Sequence, residues 1–578
     1  MLTRQEITAD MNLESDAESQ PTWIHRFSEE ESTAIVQLHA GASPGDEPLA
    51  GIRFAVKDNI DIAGVPTTAG FPPRSAQPAE STATVVRRLI AAGAVPAGKS
   101  NLDQFATGLV GTRSPYGTCH AVGHPLYVSG GSSSGSAVAV ACGEVALALG
   151  TDTAGSGRVP AAFNGIVGLK PTRGLLSTNG VVPACRSLDC VSVFTKTVTE
   201  AKAALDVLAG YDPTDSYSRA KPAHLPLIAI EPRVIAIPAG ALDLDPLHQE
   251  AWDAALTHAR KVADEIVEVD VEPFLAAARL LYQGPWLAER YQAIAPMLGE
   301  AGLDHDAVDP AVRSVLASVG AITGTDAFAG FDRLAELRRA SETVWQSADA
   351  LLLPTTPTHP TLAVIAADPI AVNSRLGTYT NFVNLLDLCA IAVPAGSRAD
   401  GLPFGVQLIA PAFADDLVLN LAAQWTGEAP LRVAPTPSGW TQLAVVGAHL
   451  SGLALNGQLL NLGARLRRRA RTAPDYRLYR LPGQGPVRPG LYRSSAPALP
   501  TESNSTSGIP IEIWELSHQA VGALLDTVPA PLGFGRLALA DGGDVLGFVA
   551  QGTVPEGALD VTDFGGWRAY LASQSRAA

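Results

Sequence analysis

The 578-residue chain has only five cysteines, Cys119, Cys142, Cys185, Cys190 and Cys389. Their number is odd and their spacing fits no metal-ligand template, which argues against a disulfide framework and against a cysteine-based metal centre. Reduced thiols in a cytoplasmic protein are the simplest reading. Basic residues are also scarce: 41 Lys and Arg stand against 57 Asp and Glu, for a net charge of −16. Nucleic acids and anionic membrane surfaces are bound by clustered Lys and Arg, so both are disfavoured as partners. No window reaches the apolar length of a membrane span. The opening MLTRQEITADMNLESDAESQ has no apolar core of the kind a secretory signal needs. No internal repeat is present.

What is there reads as a large α/β protein. The length exceeds the usual single-domain ceiling, so two or more domains are expected. GIRFAV (51–56) reads as a buried strand ending at Lys57, residues 82–93 as a helix, and AVPAGKS as a strand and turn. Residues 133–149 read as an Ala-rich helix, GIVGLKP as a strand, 246–268 and 326–347 as amphipathic helices. LLLPTTP and AIAVPAG read as buried strands ended by proline. Strands alternating with helices predict a mixed central sheet covered by helices. Residues 1–25 are polar and acidic and are expected to be disordered or loosely attached. Residues 26–425 form the main domain. TGEAPLRVAPTPSGWT (426–441), with three prolines, reads as a linker. Residues 442–578 read as a smaller β-rich domain, with RLRRRAR (465–471) as a solvated helix face.

One stretch needs a chemical explanation. In VSGGSSSGSAVAVA (128–141), glycines and serines stand directly before a small-residue helix. Glycines there permit a backbone that side chains forbid. The start of a helix binds anions, but no Lys follows at the place a phosphate-binding loop requires. A second unusual serine, Ser156, follows in TDTAGSGRVP, and Lys57 precedes in AVKDNID. Serine is a weak nucleophile until a neighbour takes its proton. A lysine can do so if burial keeps it neutral, and a second serine can relay the proton. A glycine-rich backbone can supply an oxyanion hole. Ser133, Ser134 and Ser136 read as capping or packing residues, and Asp152 and Arg158 as scaffolding.

AVKDNI, GGSSSGS and TDTAGSGRVPAAFNGIVGLKPT, in that order along the chain, resemble the amidase signature family, with GLPFGVQLIAP as a late match. The resemblance implies a Ser–Ser–Lys triad with a cis peptide at the middle serine: Ser156 as nucleophile, Ser132 as bridge and Lys57 as base. It implies an oxyanion hole from Thr153, Ala154 and Gly155, with Ala154 standing where glycine is usual. No cofactor and no metal are implied. Within the family, YQGPWLAERY and AVVGAHLSGLALNGQL resemble allophanate hydrolases, whose tail domain is similar to the γ-glutamyl cyclotransferase fold. That resemblance implies a small anionic substrate, allophanate (urea-1-carboxylate), a homodimer, and association with a separate urea carboxylase, since no biotin motif or ATP-grasp region is seen. Tyr282 and Arg290, read as two turns apart on one helix, are implied at the substrate carboxylate, which Arg pairs bidentately. His449 is the candidate for decarboxylating N-carboxycarbamate. Two alternatives stay open: another small-amide amidase, or an ammonia-donating amidase-like protein dependent on a partner.

Overall fold

A computed structural model of the chain describes residues 20–39, 47–222, 234–431, 436–483, 487–494 and 508–577. The first nineteen residues, and 432–435 of the expected linker, lie outside the described residues. The described chain falls into two compact units, which part at Leu431 and Arg432.

The first unit is built on an eleven-stranded sheet. Its strands lie side by side in the order Trp23–Arg26, Val95–Ser100, Arg53–Lys57, Leu147–Asp152, Cys190–Thr195, Val167–Lys170, Leu388–Ser397, Pro403–Pro411, Ala350–Pro354, Val234–Pro238 and Glu265–Val269. Pairing is mixed. Arg53–Lys57 runs parallel to both of its neighbours, whereas Leu147–Asp152 meets Cys190–Thr195 antiparallel. Alternate residues serve opposite faces. Phe54 and Val56 enter one apolar cluster with Leu149, Val193, Ile391 and Val406, under the helices Thr84–Ala91, Val198–Leu208, Pro246–Val262 and Asp415–Trp425. Ala55 enters another, with Ala97, Ala148 and Ala392, against Ala137 and Val140 of the helix Ser134–Ala141. Small residues on both sides let that helix lie close to the sheet. Each large apolar side chain so buried contributes roughly 1.5–3 kcal/mol. Local signals set several helix ends: Thr197 and Glu200 form a reciprocal capping box, and Asp245 caps the helix that starts at Pro246.

The second unit has a five-stranded sheet in the order Arg465–Arg471, Pro510–Ser517, Trp440–Val445, Asp544–Ala550 and Leu532–Ala538, and a three-stranded sheet. Its core gathers Leu443, Leu466, Trp514, Leu537 and Trp567.

Five local expectations are corrected. Glu265–Val269, expected at the end of a helix over 246–268, is a strand paired parallel with Val234–Pro238. Trp23–Arg26, which begins inside the stretch 1–25 expected to be loose, is a strand paired with Val95–Ser100. Trp440 and Thr441, expected in the linker, already belong to a strand. The Ala-rich helix ends at Ala141, and Leu147–Asp152 is a strand buried at every residue; burial between two neighbouring strands overrides helix propensity there. RLRRRAR is a strand as well. Arg465 and Arg469 stand opposite Glu515 and Glu512 of Pro510–Ser517, and Arg467 donates to Glu515 at 2.9 Å. Opposite charges across strands favour this pairing.

Candidate active site

Three neighbouring parallel strands end at the same edge of the sheet, the place where open α/β sheets form their crevices. Arg53–Lys57 delivers Lys57, Leu147–Asp152 delivers Thr151 and Asp152, and Val95–Ser100 leads to Asp103. Lys57 Nζ lies 2.8 Å from Ser132 Oγ and 2.8 Å from Thr151 Oγ1. Lys57 and Ser132 are both fully buried. Burial brings the Lys57 ammonium down to about 7, against the opposing pull of the Asp103, Asp189 and Asp152 carboxylates. At such a value an uncharged amine is well populated near neutral pH. The hydroxyl of Ser132 can then donate to the amine while an amine N–H donates to Thr151.

The peptide between Gly131 and Ser132 is cis. A Cβ at Gly131 would collide with Asp103 Oδ2 and stand 2.5 Å from Gly111 N, so only glycine fits. Ser133 and Ser136 pack rather than cap. Ser133 Oγ donates to Thr151 O at 3.2 Å, Ser136 Oγ donates to Leu149 O at 2.9 Å, and the helix start has no side-chain cap.

Ser156 is buried in the loop that follows Leu147–Asp152, and its hydroxyl donates to Gly108 O at 3.3 Å. Among the described residues the hydroxyls of Ser132 and Ser156 do not hydrogen-bond to each other. The loop is braced from beneath. Arg158 donates from Nε and Nη2 to the two oxygens of Asp152, each at 3.0 Å, and from Nη1 to Gln407 at 2.8 Å. Burial works against the Asp152 carboxylate, yet Arg158 and neighbouring donors hold it below the ordinary range. Gly155 takes φ +129°, and a Cβ there would collide with Thr380 Oγ1. Its N–H donates to Asp152 Oδ1 at 2.9 Å. The expectation that Gly155 faces an oxyanion is therefore corrected: Asp152 already engages that donor. Thr153 and Ala154 remain on the loop, with Ala154 O accepting from Thr380 at 2.7 Å.

Tyr282 and Arg290 are not on one helix. The chain breaks at Gly284 and Pro285 between the helices Glu272–Gln283 and Trp286–Leu298. The two residues still meet, with the guanidinium 5.7 Å from the centre of the Tyr282 ring. Arg290 is 1% exposed. Nη1 donates to Thr107 Oγ1 at 3.3 Å, and Nη2 has no hydrogen-bond partner among the described residues. Thr107 precedes Gly108, the carbonyl that holds Ser156. A buried cation with an unused donor thus bonds to the residue beside the hydrogen-bond partner of Ser156. Tyr282 also lines a cavity of about 540 Å³ with Asn373, Asn381 and Thr378.

Three residues around this site carried no signal by themselves. Thr151 lay unnoticed inside the quoted motif, while Asp103 and Asp189 are two carboxylates among many. Asp189 is 5% exposed, and burial raises its carboxyl to about 6 although Thr153, Cys185, Arg290 and Ala184 favour its ionised form.

In the second unit, His449 follows the strand Trp440–Val445. Its Nε2 is 3.0 Å from Gln458 Oε1, and its ring stacks on Phe548 at 4.9 Å. Burial lowers its pKa. It lines a cavity of about 220 Å³ whose one Lys, Arg, Asp or Glu among the described lining residues is Arg488. Among the described residues no group of three or more His, Cys, Asp and Glu is arranged to hold a metal ion, and no single helix is long and apolar enough to cross a membrane.

The Amidase family matches residues 15–419, and the Allophanate hydrolase C-terminal domain family matches residues 441–572. The chain is 41% identical over 582 residues to urea amidolyase of Saccharomyces cerevisiae, covering 95% of this chain and 31% of that protein. It spans under a third of the length of that curated relative. A glutamyl-tRNA(Gln) amidotransferase subunit of Treponema pallidum is 36% identical over 428 residues, covering 68% of this chain and 84% of the relative. Among solved structures, Kluyveromyces lactis allophanate hydrolase superposes with a TM-score of 0.70 at 38% identity, covering 98% of this chain and 97% of that one. Family match, fold and motif agree: the chain belongs to the amidase family and carries behind that domain an allophanate hydrolase C-terminal domain.

Proposed function

We propose that the chain hydrolyses allophanate at the Lys57–Ser132–Ser156 site, releasing ammonia and N-carboxycarbamate. The observation that carries this reading is the 2.8 Å approach of a fully buried Lys57 to Ser132, beside the Ser156 loop. Neutral Lys57 takes the Ser132 proton as Ser132 takes that of Ser156. The Ser156 hydroxyl turns from Gly108 O to do so, and its oxygen attacks the amide carbon. The N–H groups of Thr153 and Ala154 receive the developing oxyanion. The proton returns through Ser132 to the leaving nitrogen, which departs as ammonia. Water then attacks the acyl-enzyme by the same relay in reverse. Arg290 and Tyr282 hold the substrate carboxylate, and the unused Nη2 of Arg290 supports that role.

In the second unit His449 donates a proton to the nitrogen of N-carboxycarbamate, which then loses carbon dioxide. Arg488, which lines the same cavity, suits an anionic occupant. The full reading is a cytoplasmic homodimer that needs no cofactor. A urea carboxylase, which would form this substrate from urea, is the proposed supplier, and the likeness to urea amidolyase supports that pairing. Ammonia release from allophanate by the purified chain tests the proposal, and a chain inert toward allophanate rejects it. A second reading, an ammonia-donating component of a larger enzyme, draws on the likeness to the amidotransferase. Activity that appears only when a partner protein is added would favour it.

A further inference from the structure

Asp189 lies just ahead of the strand Cys190–Thr195 and takes no part in the relay. Its carboxylate is nevertheless a hub. The Thr153 hydroxyl donates to Oδ1. The N–H of Ala184 donates to Oδ2 at 2.9 Å, and that of Cys185 reaches both oxygens at 3.1 and 3.2 Å. A carboxylate accepts from all of these; an amide could not without turning an N–H against another N–H. The next part of the same segment is tied to a second element. Ser187 donates from N and from Oγ to Glu289, each at 2.7 Å, and Cys185 Sγ lies 3.1 Å from Glu289. Glu289 is the residue before Arg290. The connections therefore run from the nucleophile loop through Thr153 and Asp189 to residues 184–187, and from there through Glu289 to Arg290.

We infer that Asp189 is a positioning residue, the centre of a bracket that sets the separation between the nucleophile loop and the carboxylate-binding Arg290. The inference rests on the amide-hydrolysis reading above. With the substrate carboxylate on Arg290, the distance from that guanidinium to Ser156 decides whether the amide carbon meets the nucleophile. A misplacement near 1 Å costs about a hundredfold in rate. Asp189 also acts on Lys57, whose protonated form is favoured by three carboxylates, those of Asp103, Asp189 and Asp152. Asp189 itself faces Arg290.

The test is kinetic and uses the full chain. In Asp189→Asn, kcat for ammonia release is expected to fall about a hundredfold with KM changed far less. The acid limb of the pH profile should move to lower pH, because an anion that favours protonated Lys57 has gone. Thr153→Val keeps the backbone N–H and removes the hydroxyl. It should reproduce the kcat loss without moving the limb, Thr153→Ser should restore the rate, and the double variant should be no slower than Asp189→Asn alone. A merely structural role moves neither the limb nor the kcat-to-KM split. A kcat within about threefold of wild type in Asp189→Asn, or an unmoved limb, overturns the inference. If that variant does not fold, Thr153→Val decides by the same rate criterion. Ammonia release that survives in Ser156→Ala overturns the underlying reading instead.

Discussion

Lys57 and His449 make an instructive pair. Both are titratable groups whose pKa is lowered by burial, one in each unit. Around Lys57 the structure gathers two hydroxyls at 2.8 Å, three carboxylates within electrostatic reach, and a loop braced by the doubly bonded Asp152–Arg158 pair. Around His449 it gathers one Gln amide, a stacked Phe and a mostly apolar cavity. Burial alone perturbs a group; a relay also needs partners that receive the proton and groups that hold the partners still. The first site has both. The second has one imidazole and, among the described lining residues, one cation, fewer groups than a relay requires.

The largest effect expected from breaking this contrast is at the nucleophile. Ser156→Ala should lower ammonia release by about 10⁴-fold or more, measured on purified protein with circular dichroism to confirm folding. Retained turnover would mean that the denser site is not the reactive one. The brace comes next. Arg158→Met leaves Asp152 buried without its charge partner, so chemical denaturation should show about 3–5 kcal/mol less stability. A loss under about 1 kcal/mol would show the pair to be dispensable scaffolding. Arg290→Ala should cut kcat/KM for allophanate by about a hundredfold and leave a neutral amide nearly untouched. Equal losses on both substrates would remove Arg290 from carboxylate recognition.

Protonation offers a finer test. Lys57 must be neutral to act, and its folded value is depressed to about 7. Activity should therefore be retained above that value and fall as pH drops through it, about tenfold per unit on the acid side. A limb centred near the ordinary lysine value would dissociate Lys57 from catalysis. The smallest effect belongs to the second unit. His449→Ala should leave ammonia release unchanged while slowing carbon dioxide release about tenfold, followed by coupled assays of the two products. Equal rates of carbon dioxide release would make that cavity a bystander.

Much of the first unit was legible because its motifs are local. Lys57 ends an apolar strand, and the glycines beside Ser132 and Ser156 stand where backbone freedom or close approach is required. Element type was readable where one face alone is buried, as in Thr84–Ala91 and Pro246–Val262. It failed where neighbours outweighed composition. Leu147–Leu149 are good helix formers that continue an Ala-rich stretch but fill a slot between two strands, and the arginines of Arg465–Arg471 find their carboxylates across a strand boundary.

Sequence by itself determined the family and the local settings of Lys57, Ser132 and Ser156, because glycine-rich turns and the apolar strand before the lysine are encoded within a few residues. Asp152 stood out within the motif, but only the tertiary structure picked Asp103 and Asp189 from the 57 acidic residues as its companions around Lys57. Asp103, Asp152 and Asp189 come from distant parts of the chain, and a carboxylate acquires its effect on Lys57 through separation and burial in space. The same holds for Gly155 and for the Tyr282–Arg290 pair. Where an N–H points, and whether two side chains meet across a broken helix, follow from packing between elements rather than from spacing along the chain.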